Sequence, residues 1–85
     1  MPRYHFNVED GAFHGDAEGS ILSDLNSARE EAVRLSGEIL RDAAREFWRR
    51  ERWKLTVTDD RGSTLFSLRF LAEEAALCER VADPA

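Results

Sequence analysis

Apolar residues at Leu25, Ala28, Ala32, Leu35, Ile39, Ala43 and Phe47 recur at intervals of three and four. At about 100° per residue they share one helix face narrower than half the cylinder. Before this stripe, Tyr4, Phe6 and Val8 alternate with His5 and Asn7. After it, Trp53, Leu55 and Val57 alternate with Lys54, Thr56 and Thr58, and Phe66, Leu68 and Phe70 alternate with Ser67 and Arg69. Period two marks strands with one buried face. The order predicts an α+β domain of ββαββ topology, with a four-stranded, mainly antiparallel sheet and one long helix across one face. The two hairpins are expected to lie side by side under the helix.

Local signals set the boundaries. Asp10-Gly11 after strand Arg3–Glu9 predicts a two-residue hairpin turn, since both residues tolerate positive φ. That turn would pair Glu9 with Ala12 and Val8 with Phe13, placing Phe13 on the apolar face of the first strand. Gly15 to Gly19 is loop-like, and Ile21 and Leu22 are expected to be pinned to the core. Asp24 suits a helix N-cap, with Ser27 and Glu30 as a competing capping box. Gly37 interrupts good helix formers at a cost near ~1 kcal/mol, as a close strand approach would require. Nothing from Leu40 to Glu51 breaks a helix, so it is expected to reach about residue 50, with a bend near Asp42. Twenty-six helical residues span roughly 39 Å, whereas strands of six to eight residues reach only about 20–27 Å. Phe47 and Trp48 would then overhang the sheet and pack on a second copy, unless the helix folds back. Residues 53–59 and 63–71 form the second hairpin around the turn Asp59 to Gly62. Residues 1–74 make the domain, and 75–85 form a tail with a short helix, expected from Ala72 onward, that ends in a frayed Asp83-Pro84-Ala85.

A single domain of 85 residues buries only roughly 60% of its unfolded surface, so modest stability is expected. Cys78 is the one cysteine, which excludes an internal disulfide and suits a reducing compartment. No stretch approaches the ~20 apolar residues of a membrane span, and the start lacks a signal peptide's apolar run; the expectation is a cytoplasmic protein. Net charge is -5, and it is unevenly spread. Arg41, Arg45, Arg49, Arg50, Arg52 and Lys54 outnumber Asp42, Glu46 and Glu51, giving residues 41–54 a charge of +3; six basic against fourteen acidic residues elsewhere leave −8. The global field repels nucleic acid, while the local patch attracts it.

Two constellations could carry chemistry. The two-residue turn would set His14 opposite Asn7 and Asp16 opposite His5, on the open face of the sheet. Two imidazoles and a carboxylate suit zinc or acid–base work, although a one-layer sheet needs a polar outer face in any case. The second is the basic–aromatic segment 45–54. Its Arg45, Arg49, Arg50 and Arg52 offer cations for phosphates, and Trp48 and Trp53 offer rings for stacking. Phe47 and Trp48 serve equally as packing at an interface. Neither Cys78 nor any serine lies in a nucleophile motif, and no phosphate loop exists. No catalytic residue and no cofactor is assigned.

The opening Met1-Pro2-Arg3-Tyr4-His5-Phe6-Asn7-Val8-Glu9-Asp10-Gly11 resembles a small bacterial family of unknown function, found mainly in alphaproteobacteria. Asp24-Leu25 with Ala28-Arg29 and Ala32, then Phe47-Trp48, Trp53, Val57-Thr58-Asp59 and Leu65 to Phe70, extend the resemblance over residues 1–74. It implies no activity. A looser likeness, at the level of fold, is to the N-terminal domains of HicB-type antitoxins, which bind a small basic toxin; a fold does not carry function with it. The sequence therefore points first to a non-catalytic binding or regulatory module that forms a homodimer. A nucleic-acid-binding accessory protein comes second, and a small metal-dependent enzyme using His5, His14 and Asp16 third.

Overall fold

The computed structural model describes residues 2–50 and 52–75. Strand β1 (Arg3–Glu9) is followed by two short strands, β2 (Phe13–His14) and β3 (Ser20–Ile21). Helix α1 (Leu25–Asp42) and the shorter α2 (Ala44–Arg50) come next, and then β4 (Arg52–Thr58) and β5 (Thr64–Leu71). The sheet is antiparallel in the order β2-β1-β4-β5, with β3 also paired to β1. The two hairpins thus lie side by side, and the α+β reading holds with one extra strand and one extra helix.

The first turn departs from the expected one. Glu9 pairs with Phe13 and Val8 with His14, so the turn holds three residues, Asp10, Gly11 and Ala12. The Asp10 carboxylate accepts the Ala12 N–H at 3.3 Å, and Gly11 takes φ 106°. A slip of one residue sends each side chain of the short strand to the opposite face. Phe13 therefore leaves the apolar face and is 67% exposed.

Asp24 caps α1, accepting the Ser27 N–H at 2.8 Å. The face that meets the sheet is built from small residues four apart, Ala28, Ala32 and Ser36, all buried. Small side chains let the helix approach closely. Beneath them lie Tyr4 and Phe6 of β1 and Trp53, Leu55 and Val57 of β4, with Leu55 and Val57 at 0% exposure. Leu35 and Ile39 pack at the margin, whereas Leu25, the first residue of the expected stripe, is exposed. Gly37 has open space where a Cβ would stand, so no strand approach requires it. Ile21 is also exposed, leaving Leu22 as the residue of that pair that packs on the core.

Helical structure reaches Arg50 as expected, and the bend expected near Asp42 is a full break that divides it into α1 and α2. At Ala43 the backbone leaves helical geometry, with φ −110° and ψ 30°. The 18 residues of α1 span about 27 Å, close to the reach of β5, whose eight residues extend about 27 Å. The break falls where the helix would outrun the sheet, and Phe47 of α2 packs back on the core. Only Trp48 of the expected overhang stays outside, at 55% exposure. After β5, Ala72 to Ala75 are irregular; the remainder of the tail, with the expected short helix and Cys78, lies outside the described residues.

Candidate interaction surface

The basic–aromatic segment divides into three parts. Phe47 faces inward and meets Trp48 edge-on, with ring centroids 6.3 Å apart; it borders a small hollow with Ile39, Leu40 and Trp53. Arg45 and Arg49 are exposed on α2, and Arg49 holds Glu46 at 3.4 Å. Arg50 reaches over the first turn, where its guanidinium occupies the space a Cβ on Gly11 would need. Its charge also acts on Asp10. Burial raises the Asp10 pKa, but the Ala12 N–H, His14 and Arg50 outweigh this and hold the carboxyl below its ordinary value.

Arg52 borders the same hollow as Arg50 and also lines an open cleft of about 600 Å³. Lys54, Arg69, Trp53, Phe70, Leu71 and Glu9 line the same cleft. Pairing explains the convergence. Lys54 stands opposite Arg69 and Trp53 opposite Phe70, so two cations share one sheet face and two rings the other. The rings meet edge-on at 5.5 Å. Lys54 ends the segment singled out from the sequence, whereas Arg69 lies outside it and enters only through cross-strand pairing.

His5, His14 and Asp16 are not brought together as expected. His14 pairs with Val8 instead of Asn7, and its Nε2 lies 3.2 Å from Asp10 Oδ1. The His5 ring is held by two acceptors, its Nδ1 2.7 Å from the Asp16 carbonyl and its Nε2 3.1 Å from Asp60 Oδ1. Both partners can only accept, so both ring nitrogens must carry hydrogen to satisfy them. The Asp16 carbonyl first, and then the Asp60 carboxylate, raise the His5 pKa above 6.5. The Asp16 carboxylate is engaged elsewhere. It accepts the N–H groups of Phe6 and Gly19, each at 3.1 Å, while its own N–H donates to Asn7 Oδ1 at 2.9 Å. It stands in for the strand missing between β2 and β3. Among the described residues no three His, Cys, Asp or Glu side chains group as a metal site would require.

A further surface escaped the sequence reading. Phe66, Leu68 and Phe70 of β5 pair with Val57, Leu55 and Trp53, which sets them on the helix side of the sheet. Their β4 partners are buried, yet the three β5 residues remain half-exposed. Among the described residues the helices thus cover β1 and β4 and leave the β5 flank open. Leu65 and Leu71 at the two ends of the strand are 40% and 61% exposed. Alternation had marked Phe66, Leu68 and Phe70 as core; only the strand order shows that they sit at an edge.

A family model described as a domain of unknown function, DUF6894, matches residues 3–72, and the chain belongs to that family. No curated protein and no solved structure matches it. No helix among the described residues is long and apolar enough to cross a membrane.

Proposed function

We propose that this member of the DUF6894 family is a small non-catalytic binding module that acts as a homodimer in the cytoplasm. One observation carries the reading: β5 is a long edge strand with an incompletely covered apolar row on one face and exposed leucines at its ends. An exposed edge of this kind is a template for pairing with another chain unless charge, proline or a covering element blunts it. The single cysteine fits a reducing compartment. The interface expected from Phe47 and Trp48 loses one member, because Phe47 belongs to the core, and Trp48 alone is a small anchor. Light scattering after size exclusion, over a tenfold concentration range, tests the reading. A mass approaching twice the 9.7 kDa of the chain supports it, and a monomer throughout overturns it.

A second reading has its own observation. Arg52, Lys54 and Arg69 share the outer face of the β4–β5 pair and line one cleft, a cationic surface suited to a polyanion such as single-stranded nucleic acid. Binding would weaken steeply with salt. Retention on heparin that is lost in an Arg52→Gln, Arg69→Gln double variant supports this reading, and flow-through of the parent chain at low salt refutes it.

A further inference from the structure

The geometry points to a specific dimer contact: β5 pairs antiparallel with β5 of a second copy, about a two-fold axis passing through Leu68. This rests on the dimer reading above and adds the surface and its register.

The occupant follows from the two sheet edges. On one side, β2 and β3 are two residues each, and the Asp16 carboxylate takes the Phe6 N–H between them. That edge offers no continuous ladder. The other edge, among the described residues, is β5, which carries no proline and a single charge, Arg69. Its pairing with β4 skips Leu65 at an irregularity beside Val57 and Thr58, leaving Phe66 to Leu71 as a regular run.

The register follows from self-complementarity. A two-fold axis perpendicular to the sheet keeps the helices of both copies on one side, so only residues of the same facing can oppose each other. Centring on Leu68 sets Leu68 against itself, Phe66 against Phe70 and Ser67 against Arg69. The half-exposed row on the helix side meets its own kind, and no like charges oppose. Centring on Ser67 would carry Arg69 and Phe70 past the regular run, onto the irregular stretch at Leu65 and Thr64. Centring on Arg69 would oppose two guanidinium groups, which is unfavourable across a strand pair. The contact is short, about 20–23 Å of strand, and lies at the small end of specific interfaces. Association is therefore expected to depend on concentration.

The test uses the full chain with Cys78→Ser, so that introduced cysteines are the only thiols. Directly opposed residues stand about 4.5–5.5 Å apart between Cα atoms, within disulfide reach. Under mild oxidation Leu68→Cys should give a covalent dimer. Thr64→Cys and Leu71→Cys, each alone, should not. Ser67 is exposed, so substitution there leaves the core untouched. Ser67→Glu should tighten the dimer, and Ser67→Lys weaken it, by about two- to thirtyfold in Kd, because each faces Arg69 twice across the axis. A dimer by light scattering that crosslinks at Trp48→Cys and not at Leu68→Cys overturns this contact and keeps the dimer. A dimer indifferent to both Ser67 variants overturns the register. A monomer throughout overturns the dimer itself.

Discussion

Ser36 is the clearest place to test the account of the core. It is 1% exposed on the face of α1 that meets the sheet, and its hydroxyl has no hydrogen-bond partner among the described residues. Ser36→Ala removes only that hydroxyl. A buried, unsatisfied polar group costs about 1–3 kcal/mol, and serine is a weaker helix former than alanine by about 0.5 kcal/mol. Against these stands the loss of the oxygen's dispersion contacts, on the order of 0.5 kcal/mol. The net expectation is a gain of about 1–3 kcal/mol. In a domain of this size each kcal/mol raises Tm by about 4–8 °C, so the variant should melt several degrees higher. Urea titration followed by circular dichroism should show a higher midpoint with an unchanged m-value, which identifies a stability change without a change in the surface exposed. A lower midpoint would refute the reasoning, because it would mean that the hydroxyl makes a bond worth more than its desolvation.

One residue along, Gly37→Ala fills open space on the helix and should add about 0.5–1 kcal/mol; a loss in thermal melting would show that the glycine serves a close contact after all. Phe47→Ala should cost about 1–3 kcal/mol, part of the full core penalty since the ring is half-buried, whereas Trp48→Ala should stay within about 0.5 kcal/mol. Equal losses on chemical denaturation would contradict the inward assignment of Phe47. Asp16→Ala leaves the Phe6 and Gly19 N–H groups without their acceptor and should destabilise by about 1–3 kcal/mol; slow amide exchange of Phe6 in the variant would count against the role given to the carboxylate. His5 has a folded pKa raised above 6.5, so its contribution to stability is full below that pH and is lost as pH rises through the folded value. An NMR titration should find the raised pKa, and Asp60→Asn should lower it; an unmoved titration would remove Asp60 as a cause.

Period two and period 3.6 are properties of the chain itself, which is why β1, β4, β5 and the body of α1 could be read from it. Boundaries set by competition were harder. Asp10-Gly11 is a strong two-residue turn signal, yet the Asp10 side chain can also accept the Ala12 N–H and make a three-residue turn, and one residue decides where Phe13 and His14 face. The bend expected near Asp42 is the break at Ala43, although Ala43-Ala44 itself favours helix. Sheet length and the burial of Phe47 impose it. The candidate surfaces were less legible still. Arg50 and Arg52 stood out as a charge run, but Arg69 joins Arg52 and Lys54 only through the pairing of β4 with β5. The alternation that marks Phe66, Leu68 and Phe70 as inward-facing cannot reveal that no helix reaches them, because strand order is a long-range property.

The carboxylate of Asp16, lodged between β2 and β3, also bears on how many copies can join. A sheet with two open edges has a valence of two and can grow without limit, each added copy presenting a fresh edge to the next. Here one edge is interrupted by a side chain that already holds the backbone N–H a newcomer would need. In the dimer proposed above, edge-to-edge addition through β5 would use up the single long edge among the described residues and terminate at the second copy. Removing the carboxylate would therefore threaten more than local stability, since it would free a second growing end and open a route from closed pairs to fibres.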